Sequence, residues 1–366
     1  MVGYVKGKIT GRNREVAMQL DMHFYAVYAL ARAAGIKAEA AEIIAHASQF
    51  VDDALEDEVI VLEDERGIIP TMTSHRPIDY QNTIPGDQWK VWVPFHFLPG
   101  NNDGANTFVE KMVCRKDNPA ARRILDYALS LKSEAFGLHL GGISAHVYAD
   151  TFSHYGFVGL SRQWNRVESN SIKVNVESSS IFNYIKTKFE TFKTRVVGGL
   201  AETIPVGHGA VATYPDRPYL NWEYTHESGE TVKRNNVEDY MEACVGLHRF
   251  FGELVENNSS HGDPDGAVSW DTISDRIRNI VKQEAPLDER IKLWQDAISS
   301  DELFEATDFD KAVSYSEKAW RSARIVYHFS RGGTVDDCNG CLFIRAAWRY
   351  RHYVLQELLP SVGMII

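Results

Sequence analysis

One stretch constrains the fold more than any other: Gly137 to Phe157, GLHLGGISAHVYADTFSHYGF. Wound as an α-helix at about 100° per residue, it brings His139, His146, Asp150 and His154 into an arc of about 80°. Imidazole nitrogens and a carboxylate on one face are donors that a first-row cation such as Zn²⁺ accepts. The residues between them are small (Gly141, Gly142, Ser144, Ala145, Ala149), so another helix can pack close alongside. The bland alternative is a buried polar ladder in which each imidazole only satisfies its neighbour. A polar stripe in so apolar a context is costly unless paired or metallated, and this favours the metal.

A chain of 366 residues, 44% of them hydrophobic, can bury a large core. We expect residues 1–17 to form an extension, followed by one mainly helical metal-binding domain over residues 18–366, with a possible subdivision near residue 270. The formal charge of −11 argues against a general nucleic-acid backbone binder. Four scattered cysteines, Cys114, Cys244, Cys338 and Cys341, fit a reducing compartment rather than a disulfide scaffold. CNGC at 338–341 is half of a zinc-ribbon pattern without a second half, and its role stays open. No apolar signal core and no run long enough to span a bilayer is visible, so a cytoplasmic location is expected.

Along the chain, HFYAVYALARAAG ends at Gly35, a natural helix C-cap, and AEAAEIIAHASQFVDDAL reads as a second, antiparallel helix. Residues 57–100 are rich in Val, Ile and aromatics and broken by Gly and Pro, so short strands or extended loops are expected there. Asn118 to Leu131 reads as a helix, 160–180 as a surface loop, and 181–195 and 237–255 as helices. The remainder reads as helical, with Trp294, Trp320 and Trp348 as core anchors. The basic run RAAWRYRH could serve a partner, but a core face with a solvated back explains it more simply. The fold class is mainly α: a multi-helix bundle with a few short strands and long ordered loops.

One helix cannot complete a metal site, and four other places offer donors. Asp21 and His23 in LDMHFY point to the same side if that start is extended. The second helix carries His46 and Asp53 on one face, with Asp52 adjacent. His96 stands between phenylalanines in VPFHFLPG. GHGAVATYPDRPYLNW supplies His208, flanked by glycines that let backbone approach closely, and Asp216 in a Pro-rich turn. Each has a bland reading as core histidine, helix-end charge or turn salt bridge, yet together they cluster where the central helix needs partners.

At this point the motifs carry a resemblance. Asp-x-His on a first helix, an acidic pair ending the second, a lone loop His and HxxxD on a buried helix are similar to the zinc-dependent phospholipase C family. The fungal zinc-dependent single-strand nucleases share that fold. MQLDMHFYAVYALARAAG, ASQFVDDA, FHFLPG, HVYADTFSHYGF and GHG…YPDRPYLNW also resemble a bacterial family of uncharacterised proteins over most of residues 18–350.

The phospholipase resemblance implies a helical phospholipase C-like bundle holding two or three Zn²⁺ ions, or another divalent metal. His23 would match the first-helix histidine, Asp53 (or Asp52) the bridging aspartate, His96 the loop histidine, and His146 with Asp150 the HxxxD pair. His154 falls near the next histidine but sooner than the family spacing. His208 with Asp216 would stand in for a later His-xxx-Glu pair, and Asp21 for the amino-terminal Trp that this chain lacks. The expected chemistry is hydrolysis of a small-molecule, lipid or nucleotide phosphoester, with Asp53 or Asp52 orienting the water. Arg217, Tyr214 and Trp222 would line the mouth, and His46 and His139 would support ligands. An HD-type phosphohydrolase is disfavoured because no His-Asp dipeptide occurs. A non-catalytic helical protein with a saturated structural metal, or with a partner-binding role, is the remaining alternative.

Overall fold

In the computed structural model, described for residues 20–75, 84–101, 104–200, 206–256 and 260–365, the chain is mainly α, with five short strands in two small sheets. The expected extension at residues 1–17 lies outside the described residues. No described helix is long and apolar enough to cross a membrane.

The central helix, Gly137–Ser153, is buried along nearly its whole length. Its closest partner is the helix Ala38–Asp53, and small residues make that approach possible. A Cβ on Gly142 would lie 2.3 Å from the Ile44 carbonyl oxygen, so this crossing admits only glycine. The helices Pro119–Ser130, Asn236–Val255 and Asn339–Tyr353 also pack on the central helix. One continuous apolar cluster runs through these contacts, from Met22 to Met364. Burial of such side chains at roughly 25 cal/mol per Å² is the main force holding the rods around their axis.

The first helix differs from the extended start considered above. Asp21–Ala26 is wound as a π-helix and continues as Val27–Ala33, with Gly35 at φ +87° ending the run. In a helix, residues two apart point to nearly opposite sides, so Asp21 and His23 diverge. QWKVWVPF is also helical rather than stranded, as Pro85–Asp87, a π-turn over Gln88–Trp92, and Val93–Phe95. Pro85 at the first turn starts it, and packing of Val91, Val93 and Phe95 outweighs their β preference. Among the described residues, the strands Ile60–Val61 and Gly67–Ile68 are all that the preceding segment contributes to sheet.

Residues 160–180 contain the strand Lys173–Asn175, which pairs antiparallel with Asn221–Thr225, itself in a hairpin with Thr231–Asn235. Alternation along Asn221–Thr225 turns Trp222 and Tyr224 inward onto a second apolar cluster. Trp294 and Trp320 are buried as expected, but Trp348 is 52% exposed, stacked on His352. Its helix turns Ala346, Ala347 and Tyr350 to the core instead.

Candidate metal centre

His146 and Asp150, one turn apart on the central helix, face the end of the helix Ala38–Asp53, where Asp52 sits. His96 arrives from the break after Val93–Phe95, and His23 from the π-wound first helix. Three donor atoms form a nearly equilateral triangle. His96 Nδ1 and His146 Nε2 each lie 3.2 Å from Asp150 Oδ2, and 3.4 Å from each other. Zinc–nitrogen bonds of about 2.0–2.1 Å give a tetrahedron whose edges are about 3.3 Å. The triangle therefore has the dimensions of one face of a zinc tetrahedron. Asp52 Oδ1 stands 3.9 Å from His96 Nδ1 and 4.0 Å from His146 Nε2, a looser fourth vertex. His23 Nε2 is 3.2 Å from Asp150 Oδ1, but neither atom is aligned for a hydrogen bond.

A second group adjoins the first. His154, the C-cap of the central helix, has Nε2 3.4 Å from Asp216 Oδ1, and His208 Nε2 is 3.7 Å from the same oxygen. Both Asp216 oxygens are buried without a hydrogen-bond partner. His154 Nδ1 lies 3.5 Å from Asp150 Oδ2, which joins the two groups. Three donor sets, His23–Asp52–His146, His96–His146–Asp150 and His154–His208–Asp216, each have their donor atoms within 4.8 Å of one another.

Backbone carbonyls fix the imidazoles. His96 Nε2 donates to Thr73 C=O at 2.9 Å, His154 Nδ1 to His96 C=O at 2.8 Å, and His208 Nδ1 to Ala212 C=O at 2.7 Å. A carbonyl only accepts, so each bonded nitrogen carries the hydrogen. In the neutral ring the opposite nitrogen then presents a lone pair, and all three of these lone pairs face carboxylate oxygens. Lone pair against carboxylate is repulsive and buried, and a cation between them resolves it.

A proton is one such cation, and it suits only part of the site. Burial, reinforced by the neighbouring His23, pushes the His146 imidazole down to about 3. Burial also lowers His208, despite Asp216 beside it. His154 alone among these three is raised, because the Asp150 and Asp216 charges outweigh its burial. Asp150 is held well below the carboxylate range, since the surrounding imidazoles, His154 and His146 foremost, overcome burial. Asp52 goes the other way, raised by burial and by the Asp150 charge. His146 and His208 stay neutral and Asp150 ionised near neutral pH, as metal ligation requires.

The remaining expected residues stand elsewhere. Asp21 turns away from the donors into a buried pair with Arg290 (2.7 Å), because helical winding sends it opposite to His23. Asp53 accepts from the Tyr315 hydroxyl at 2.6 Å and meets Gln49 at 3.5 Å, leaving Asp52 as the carboxylate near the imidazoles. His139, two turns before His146, bonds Asn339 at 3.2 Å, and His46 stacks on Trp320 at 4.1 Å. Arg217 is buried, bonded to Thr213 and lying over the Tyr184 ring. Tyr214 and Trp222 sit inside the second apolar cluster rather than at a mouth.

Several contributors carry no sequence signal of their own. The Thr73 and Ala212 carbonyls act through backbone. Asn236 gathers the carbonyls of Tyr214, Pro215 and Arg217, shaping the turn that presents Asp216. Gly207 lies at φ +54°, and a Cβ there would strike the Phe97 ring at 2.1 Å, so the first glycine of GHG lets His208 reach past it. Phe97 in turn stacks on His154, with centroids 4.7 Å apart.

The sequence matches the family of unknown function DUF6765 over residues 18–358, and the chain belongs to that family. No curated protein matches it, and neither does any solved structure.

Proposed function

We propose that this member of DUF6765 is a metal-dependent hydrolase of phosphoesters. Zinc is the cation that the donors fit best, in two neighbouring positions, with a third position or another divalent metal as the variant. The observation that carries this reading is the 3.2, 3.2 and 3.4 Å triangle of His96, His146 and Asp150, whose edges equal those of a zinc tetrahedron. Ligands of the first position would be His96, His146 and Asp150, with His23 and Asp52 at its margin. Those of the second would be His154, His208 and Asp216. When bound, such cations supply Lewis acidity toward a phosphoryl oxygen and make water a nucleophile near neutral pH.

The chain's own groups do the rest. Asp52 is the carboxylate not committed to an imidazole closer than 3.9 Å, which places it to accept a proton from the attacking water. Thr73 and Ala212 hold the rings in the ligating tautomer. The His208 side chain is 16% exposed whereas His146 is fully buried, so substrate would approach from the His208 side. Four unpaired cysteines agree with a cytoplasmic setting. We take residues 18–366 as one domain, with the motif order of phospholipase C-type enzymes as supporting analogy.

The test is a panel of phosphomonoesters, phosphodiesters and phospholipids incubated with zinc-loaded protein. Chelator-sensitive turnover of one class, lost in Asp52→Asn with zinc content intact, supports the proposal. Zinc-replete protein that leaves the whole panel untouched refutes it. A second reading, a structural metal, draws on the depth of the site, because most of its donors are buried. In that case chelation would unfold the protein, and no hydrolysis would precede the loss.

A further inference from the structure

Outside the three donor sets, a pair of cysteines has no part in that chemistry. Cys338 is the N-cap of the helix Asn339–Tyr353, and Cys341 is its third residue, one turn on. At that spacing Cβ atoms are about 5–6 Å apart and Cα atoms fall in the range a disulfide spans, with modest closure. Neither is joined in a disulfide, and they share a small apolar cluster with Ile60 and Ile325. Cys338 is 6% exposed, beside the exposed Asp336 and Asp337, while Cys341 lies behind it.

The two side chains lie in one apolar cluster at the start of the helix. There Cys341, the first helical amides at Gly340 and Cys341, and the His328 imidazole favour negative charge on Cys338, taking its thiol down to about 6 against its burial, while Cys338 pushes Cys341 up. The other two cysteines have no cysteine neighbour in the chain. Cys114 and Cys244 are single and fully enclosed, and burial pushes both thiols upward.

We propose that Cys338 and Cys341 form a reversible dithiol–disulfide centre that exchanges with low-molecular-weight disulfides, Cys338 being the attacking sulfur and Cys341 the resolving one. The Cys338 thiolate attacks one sulfur of a disulfide RSSR, giving a Cys338–S–S–R bond and releasing RS⁻. Cys341 then loses its proton, which RS⁻ takes up, and its sulfur attacks Cys338 and expels the second RS⁻. The two protein thiols are oxidised and one RSSR is reduced to two thiols, so no further oxidant enters.

Full-length reduced protein is incubated at pH 7 in glutathione–glutathione disulfide mixtures, quenched with alkylating agent and mapped by peptide mass. Cys338 and Cys341 should oxidise together into one linked peptide, reversibly with the ratio, while Cys114 and Cys244 stay thiols. C341S should accumulate glutathione on Cys338, whereas C338S leaves Cys341 unmodified. Cys338 should also alkylate on the order of tenfold or more faster than Cys114 or Cys244. A pair that stays reduced across all ratios overturns the proposal. So does oxidation of all four cysteines in step, which would report unfolding, or a glutathione adduct on Cys341 in C338S.

Discussion

Two sets of buried charge in this protein are built on opposite principles. Outside the donor sets, the buried Arg290 and Arg32 each meet a carboxylate. Arg290 donates to Asp21 at 2.7 Å and to the Ala285 carbonyl at 2.7 Å. Arg32 pairs with Asp310 at 2.7 Å, which also accepts from the hydroxyls of Tyr28 and Thr307. Beside the central helix the carboxylates of Asp150 and Asp216 meet imidazole lone pairs, and polar atoms such as His23 Nδ1, His146 Nδ1 and both Asp216 oxygens have no hydrogen bond. A closed network of acceptors and donors holds a fold together. An array of carboxylates and imidazoles short of matched donors could hold a metal ion.

The largest effect expected from this contrast is at a closed pair. Arg290→Ala strands the Asp21 carboxylate in the core and should cost about 4 kcal/mol in urea unfolding, with metal content per folded chain unchanged. A loss below about 1 kcal/mol would mean that the closed pairs are as tolerant as the open array, and the contrast would fail.

Asp150→Asn probes the open array. At free Zn²⁺ one hundred times the dissociation constant of the first position, wild-type protein should gain about 2.7 kcal/mol from that position, and the variant should lose this share while keeping what the second position contributes. Without metal the variant should be less stable than wild type, since the His154 and His146 imidazoles hold the Asp150 carboxylate ionised in the fold. Equal zinc stabilisation of both proteins would remove Asp150 from the site.

Asn236→Ala sits between the two cases, a closed polar residue that serves the open one. It should cost about 2 kcal/mol by stranding the Trp222 indole N–H and removing the amide's bonds to three carbonyls, and weaken zinc binding by about 10–100-fold through the Asp216 turn. Isothermal titration separates the two, and an unchanged affinity would confine Asn236 to the fold. The smallest effect concerns pH. Burial alone would raise Asp310, but bonds from Arg32, Tyr28 and Thr307 hold it below its ordinary value. Its contribution is therefore present above about pH 3.9, the unfolded value, and is lost as pH falls through the lower folded one. Asp310→Asn should flatten the acid limb of the stability curve, and an unaltered limb would show that Asp310 is not what titrates there.

The helices and the central donors were legible in sequence because both depend on short-range spacing. Gly35, Asn118 and the His146–Asp150 step act within a turn or two, where 3.6-residue periodicity is reliable. What could not be read are choices made by distant partners. Asp52 and Asp53 are adjacent and chemically equal, and only Tyr315, 262 residues after Asp53, takes one of them out of play. Asp21 is likewise claimed by Arg290, and Tyr214 and Trp222 by a hairpin whose turn at Gly229 (φ +91°) was the missed signal. QWKVWVPF reads as strand by composition but is helical because its apolar faces pack on the core.

The most direct measurement is elemental analysis of protein purified without chelators, with anomalous scattering to place whatever is found. The account predicts at least one zinc-like ion inside the His96–His146–Asp150 triangle, a second at His154–His208–Asp216, and loss of the first in Asp150→Asn. Protein that carries no metal, takes up none on dialysis against Zn²⁺ and is not stabilised by it would contradict the account at its base.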